Sequence, residues 1–105
     1  MNKIPVKQHH KMKERHPQLV DAVDALGAAV AKGGPLSEKA RQLVQLAAAA
    51  AIRSEGAVHS HARRAVEAGA SAEEVRHAIL LLTSTIGFPT VVAAMTWADD
   101  VLEAS

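Results

Sequence analysis

The chain has 105 residues, 49% of them hydrophobic and 22% charged, with a net charge of +1 when the histidines are neutral. That length fits one domain able to close a core without metal or disulfide staples, and so even a charge balance gives no reason to expect nucleic acid as a partner. No cysteine is present, which removes disulfides, thiol catalysis and Cys-ligated metals from the chain's repertoire.

Aromatic residues make up 2%, from Phe88 and Trp97 alone, and alanine supplies much of the apolar share. Alanine forms helix readily because it loses no side-chain entropy there. It also hides little area, and burial contributes only about 25 cal/mol per Å². Such a core needs close helix contacts or burial against another subunit, so the composition predicts an oligomeric helical protein.

Residues 1–15 are polar and basic with no clear period, and read as an irregular arm that carries His9 and His10. Lys3, Lys7, Lys11 and Lys13 give it a basic start, but no apolar stretch of signal-peptide length follows, so a cytoplasmic setting is the default expectation. The second region, 16–105, reads as a single helical domain. Pro17 can open a helix, and Leu19, Val20, Val23, Leu26 and Val30 recur behind it at helical spacing. After Gly33-Gly34-Pro35, Ser37 is a plausible N-cap for a helix from about Glu38 to Arg53. The run Leu43–Ile52 is apolar apart from Gln45, too short for the roughly 20 residues of a bilayer span, and no membrane partner is expected. A helix without a polar face is normally buried all round, at the centre or in a subunit interface.

A third helix is predicted from about Ala57 to Ala68, closed by Gly69. Ser71 with Glu74 three residues later makes a capping box for a fourth, continuing to Ile86. Gly87-Phe88-Pro89 then introduces a fifth, from about Thr90 to Leu102. No segment alternates as a strand would. The fold class expected is all-α, a single-domain bundle of about five helices.

The densest polar stretch is Arg53 to Arg64. On a helix His59 and His61 point about 200° apart, so they cannot both ligate one ion from that helix. Glu55, His59 and Arg63 share one stripe; Ala57, His61, Arg64 and Ala65 share another. A histidine near a carboxylate suits general acid or base work. A solvated face with charge pairs four residues apart is the structural alternative. Thr83, Ser84 and Thr85 are read as bonding to carbonyls a turn back, His77 as a surface residue, and the two aromatic rings as packing against the alanine surface.

The stretch from His61 to Val75, with its Ala-Gly-Ala-Ser turn and Glu-Glu-Val helix start, resembles the carboxymuconolactone decarboxylase superfamily, which includes the alkylhydroperoxidase D-like proteins. Leu36-Ser37-Glu38-Lys39, the alanine-rich helix and Gly87-Phe88-Pro89 are similar too, and the resemblance covers roughly Leu36 to Leu102. It implies an alkylhydroperoxidase D-like helical fold and homo-oligomers, often trimers or hexamers. In the peroxidase-like branch a Cys-x-x-Cys pair and an upstream glutamate form a relay with the family histidine. With that histidine placed on His61, the cysteines fall on Ser54 and Ala57 and the glutamate near Gln42, so thiol peroxidase activity is argued against.

The decarboxylase-like branch acts without cysteines on a carboxylated unsaturated lactone, and needs a cationic anchor and a proton donor. The resemblance therefore points to a thiol-independent, lyase-like acid/base enzyme on a small anionic metabolite, with no cofactor. His61 would transfer the proton, Glu55 or His59 would be its partner, and Arg53 or Arg64 would contact the anion. Two alternatives stay open: a catalytically silent binding or assembly protein, and, lower, a metal site between subunits using His61 with Glu55 or His59 of a neighbour.

Overall fold

A computed structural model describes the backbone of residues 4–104 and the side chains of residues 8–104. Among the described residues there are seven helices and no strand: α1 (Ile4–Arg15), α2 (Pro17–Ala31), α3 (Glu38–Ala51), α4 (Glu55–Glu67), α5 (Ala72–Leu80), α6 (Thr83–Ile86) and α7 (Phe88–Leu102). They fall into two compact units, α1 with α2 up to Leu36, and α3 to α7 from Ser37 onward.

The first unit departs from the sequence expectation. Residues 4–15, expected to be irregular, are helical; residues 1–3 of that arm lie outside the described residues. Lys, Gln, Met, Glu and Arg dominate the segment and all form helix well, which suffices here without an apolar period. Lys13 and Arg15 in the last turn complement the helix dipole. α1 passes to α2 at His16, whose N–H donates to the Met12 carbonyl at 2.7 Å while its own carbonyl accepts from Val20 at 3.1 Å. Pro17 sits in the first turn of α2, as its fixed φ favours.

The second unit is built on alanine. Its core joins Leu46, Ala49 and Ala50 of α3 to Val58, Ala62 and Ala65 of α4, Val75 and Ile79 of α5, and Val91, Ala94 and Ala98 of α7. Side chains this small let helices approach closely, and the larger Leu46, Ile79, Val58, Val75 and Val91 fill the remaining space without exposure. Trp97 packs at the edge of this core, as expected; Phe88 does not, and stays 63% exposed. α3 is not buried all round within the chain: Leu46, Ala49 and Ala50 face inward, while Val44, Ala48, Ala51 and Ile52 are exposed.

Local chemistry sets the helix ends. Ser37 caps α3, its Oγ accepting from the Ala40 N–H at 3.1 Å. The capping box at Ser71 is complete, with Glu74 reaching back to the Ser71 N–H at 2.9 Å. The expected helix from Ala72 to Ile86 is split in two after Leu80. There Leu82 N–H bonds back only three residues, to Ile79, and the Thr83 hydroxyl takes the Leu80 carbonyl at 2.8 Å. A run of Thr-Ser-Thr competes for backbone acceptors and weakens helix continuation. Gly87, at φ +91 and ψ 153, turns the chain into α7 through a conformation essentially confined to glycine. Surface ties join the helices: Lys39 to Glu74 at 3.2 Å and Arg76 to Asp99 at 3.0 Å.

Candidate functional site

α3 and α4 end on the same backbone device with different residues. Each closes with paired bonds, Arg53 N–H to Ala50 and Ser54 N–H to Ala49 for α3, Gly69 N–H to Val66 and Ala70 N–H to Ala65 for α4. This motif places the residue after the cap in the left-handed region, where glycine is at no disadvantage. Gly69 sits there at φ +103, but α3 uses Arg53 at φ +57. Left-handed backbone costs a residue with a Cβ about 1–2 kcal/mol. The arginine that bears this cost donates from Nη1 to the Thr90 hydroxyl at 3.0 Å, fixing its guanidinium at the start of α7.

Ser54 then caps α4, its Oγ accepting from the Ala57 N–H at 3.4 Å. α4 starts at Glu55 and runs through Gly56, two residues earlier than the sequence reading placed it. Its helical turn sends the two histidines to different sides.

His61 meets α3. Its Nδ1 lies 2.8 Å from Gln42 Oε1. An amide oxygen only accepts, so Nδ1 carries the proton and the lone pair is left on Nε2. Partial burial, and then the neighbouring Arg64 charge, hold the imidazole below its ordinary pKa. Both effects disfavour the cation, so His61 rests neutral with a basic nitrogen.

His59 meets α7. It is 2% exposed, and its Nε2 lies 3.0 Å from Asp100 Oδ2. Glu55, one turn back on the same face of α4, completes a group in which one donor atom from each of Glu55, His59 and Asp100 lies within 4.8 Å of the others. Glu55 or His59 was expected to act as the acid/base partner of His61; the side chain bonded to His61 is Gln42, and those two residues gather with Asp100. Of the candidate anion contacts, Arg64 belongs with His61, and Arg53 stands at the α3–α4 corner.

Sequence reasoning placed Gln42 at the relay-glutamate position and did not give it a role of its own. Its spacing from His61, carried over from the family pattern, was the available signal. Asp100 was missed entirely, since nothing in a terminal Ala-Asp-Asp-Val run announces that one carboxylate will meet a buried histidine on another helix. His77 is exposed as expected. No helix among the described residues is long and apolar enough to cross a membrane.

An all-helical protein, with an alanine-built core and a half-buried histidine on α4 held by a glutamine of α3, is the class these features define. The model of the carboxymuconolactone decarboxylase family matches residues 17–100, and the chain belongs to that family. An uncharacterised protein of Haemophilus influenzae is 41% identical over 59 residues, which span 56% of this chain and about half of that protein, 52%. An uncharacterised protein of Methanocaldococcus jannaschii is 29% identical over 92 residues, 88% of this chain and 86% of the relative. No solved structure gives a significant match.

Proposed function

We propose that the chain is the subunit of a thiol-independent acid/base enzyme, lyase-like in its chemistry, that acts on a small anionic metabolite. The observation that carries this reading is the 2.8 Å bond from His61 to Gln42, which fixes the tautomer and leaves Nε2 as the basic nitrogen beside Arg64. An enzyme that removes a carboxylate must hold the anion and deliver a proton to carbon. Arg64, and Arg53 at the adjoining corner, are the anchors. A bound carboxylate opposes the Arg64 charge and favours the imidazolium, so substrate binding itself loads His61 with a proton from solvent. As the bond between the carboxylate carbon and the substrate breaks, its electron pair stays on the conjugated substrate and carbon dioxide leaves. The Nε2 proton then goes to the electron-rich carbon, restoring the neutral ring. Gln42 neither gives nor takes a proton; it positions the ring.

The working form is a homo-oligomer in this reading. Val44, Ile52, Leu80, Leu81 and Phe88 are exposed large apolar residues of the second unit, side chains that a neighbouring subunit would bury. The same observation favours the second reading, a binding or assembly protein without catalysis. A turnover screen with small unsaturated carboxylates and carboxylated lactones separates them. The enzyme reading expects one ligand class to be consumed, with His61→Gln lowering the rate about 10²–10⁴-fold. Ligands that bind without being consumed, or a rate indifferent to His61→Gln, leave the assembly reading. Sedimentation at micromolar concentration tests the oligomer, and a monomer mass would contradict it.

A further inference from the structure

The side of α4 away from His61 holds a second constellation, which the acid/base reading does not use. We propose that Glu55, His59 and Asp100 form a site for a single divalent transition ion, of the Zn²⁺ or Mn²⁺ type, within one chain.

Three features carry this. The residue types are ligands: an imidazole nitrogen and two carboxylates, a mixed set that suits such ions better than hard Ca²⁺ or soft Cu⁺. The placement is two-sided. Glu55 and His59 stand four residues apart on one helix, so their side chains share a face, and Asp100 closes from α7. The local charge is negative: two carboxylates face one imidazole, and a bound cation would neutralise them.

The distances also fit. Ligand bonds of about 2.1 Å to both His59 Nε2 and Asp100 Oδ2, at their observed 3.0 Å separation, meet at about 90°, an ordinary angle in five- or six-coordinate sites. Two ligands of one ion lie at most about 4.2 Å apart on the same bond lengths. The exposed Glu55 side chain is within 4.8 Å already, and a small rotation brings it in. His59 is buried, so its ring is held in place by packing before any ion arrives, whereas Glu55 and Asp100 open to water. That arrangement gives three protein ligands and leaves further positions for water, the pattern of an ion that can take an exogenous ligand. The proposal does not depend on the role given to His61.

The test uses the purified full chain, stripped with a chelator and titrated with Zn²⁺ by calorimetry, and with Mn²⁺ by paramagnetic broadening in NMR spectra. The expected result is one equivalent per chain, with broadening centred on Glu55, His59 and Asp100. The exposed-site variants Glu55→Gln and Asp100→Asn should each weaken binding about tenfold or more, and both substitutions leave the core untouched. His9→Gln/His10→Gln, which removes the neighbouring histidines of α1, should leave the affinity unchanged. Absence of saturable binding, or affinity equal in the unsubstituted, Glu55→Gln and Asp100→Asn chains, overturns the proposal. So does broadening centred on His9 and His10.

Discussion

Two histidines lie two residues apart on α4, and their surroundings have opposite electrical character. His61 faces an uncharged amide from α3 with Arg64 beside it. His59 faces the carboxylates of Asp100 and Glu55. The first environment favours a neutral ring; the second gathers negative charge around a buried one. A rotation of about 200° over two residues is enough to separate the two surroundings, because 100° per residue carries nearby side chains to different partners. What the comparison teaches is that the sequence string His-Ser-His is not one environment but two, set by the helices that α4 packs against.

The shared support of both sides can be broken first. Leu46 is fully buried in the core against which α4 packs. Leu46→Ala should cost about 2–5 kcal/mol, read as a lower denaturation midpoint in urea, with both histidine environments lost together. A midpoint within a few tenths of a molar of the unsubstituted chain would mean that α4 does not depend on this core.

A smaller change touches one side only. Gln42→Leu leaves the half-buried Nδ1–H of His61 without its acceptor, an expected cost of about 1–3 kcal/mol. In NMR spectra the His61 ring signals should move while those of His59 stay. Equal movement of both would mean the two sides are coupled through the helix.

Arg53 sharpens the contrast between the two helix ends. Arg53→Gly gives the α3 terminus the residue that the α4 terminus already has, relieving about 1 kcal/mol of left-handed backbone while losing the Thr90 bond. Thermal stability is expected to hold or rise slightly, and affinity for small carboxylates to fall. A clear loss of stability would show that the guanidinium contact outweighs the backbone strain.

The smallest effect lies away from both sides. Bonds from the Ser71 N–H, then Lys39, hold Glu74 below the ordinary carboxylate pKa. A depressed carboxylate stabilises the fold above the unfolded pKa of about 4.5 and loses that contribution as pH falls through its lower folded value. Glu74→Gln should therefore flatten the stability profile on its acid side, below about pH 4.5, and lower neutral stability slightly. An unchanged acid limb would contradict the assignment.

Much of the second unit was legible because short-range rules governed it. Ser37 and Ser71 cap where their spacing to helical N–H groups said they would, and Gly69 closes α4 in the left-handed region. The break after Leu80 was not, since the Thr-Ser-Thr run had to outweigh a continuing apolar period. α1 was missed for the converse reason: good helix formers without an amphipathic pattern. At the candidate site the sequence singled out His61, Arg53 and Arg64, the first from the family pattern, and the structure sets Arg64 beside His61 and Arg53 at the α3–α4 corner. Its Gln42 partner followed only indirectly, and the Asp100 partner of His59 not at all. Those contacts come from packing α3 and α7 against α4, and helical periodicity along a single segment holds no information about which side chain another helix presents.

The most direct test of the two-sided account is a single set of imidazole NMR spectra of the full chain at fixed pH, recorded with a panel of small unsaturated carboxylates. The account predicts that a binding carboxylate shifts the His61 ring signals and leaves those of His59 in place. Shifts at His59 with His61 silent, or equal shifts at both, would contradict it.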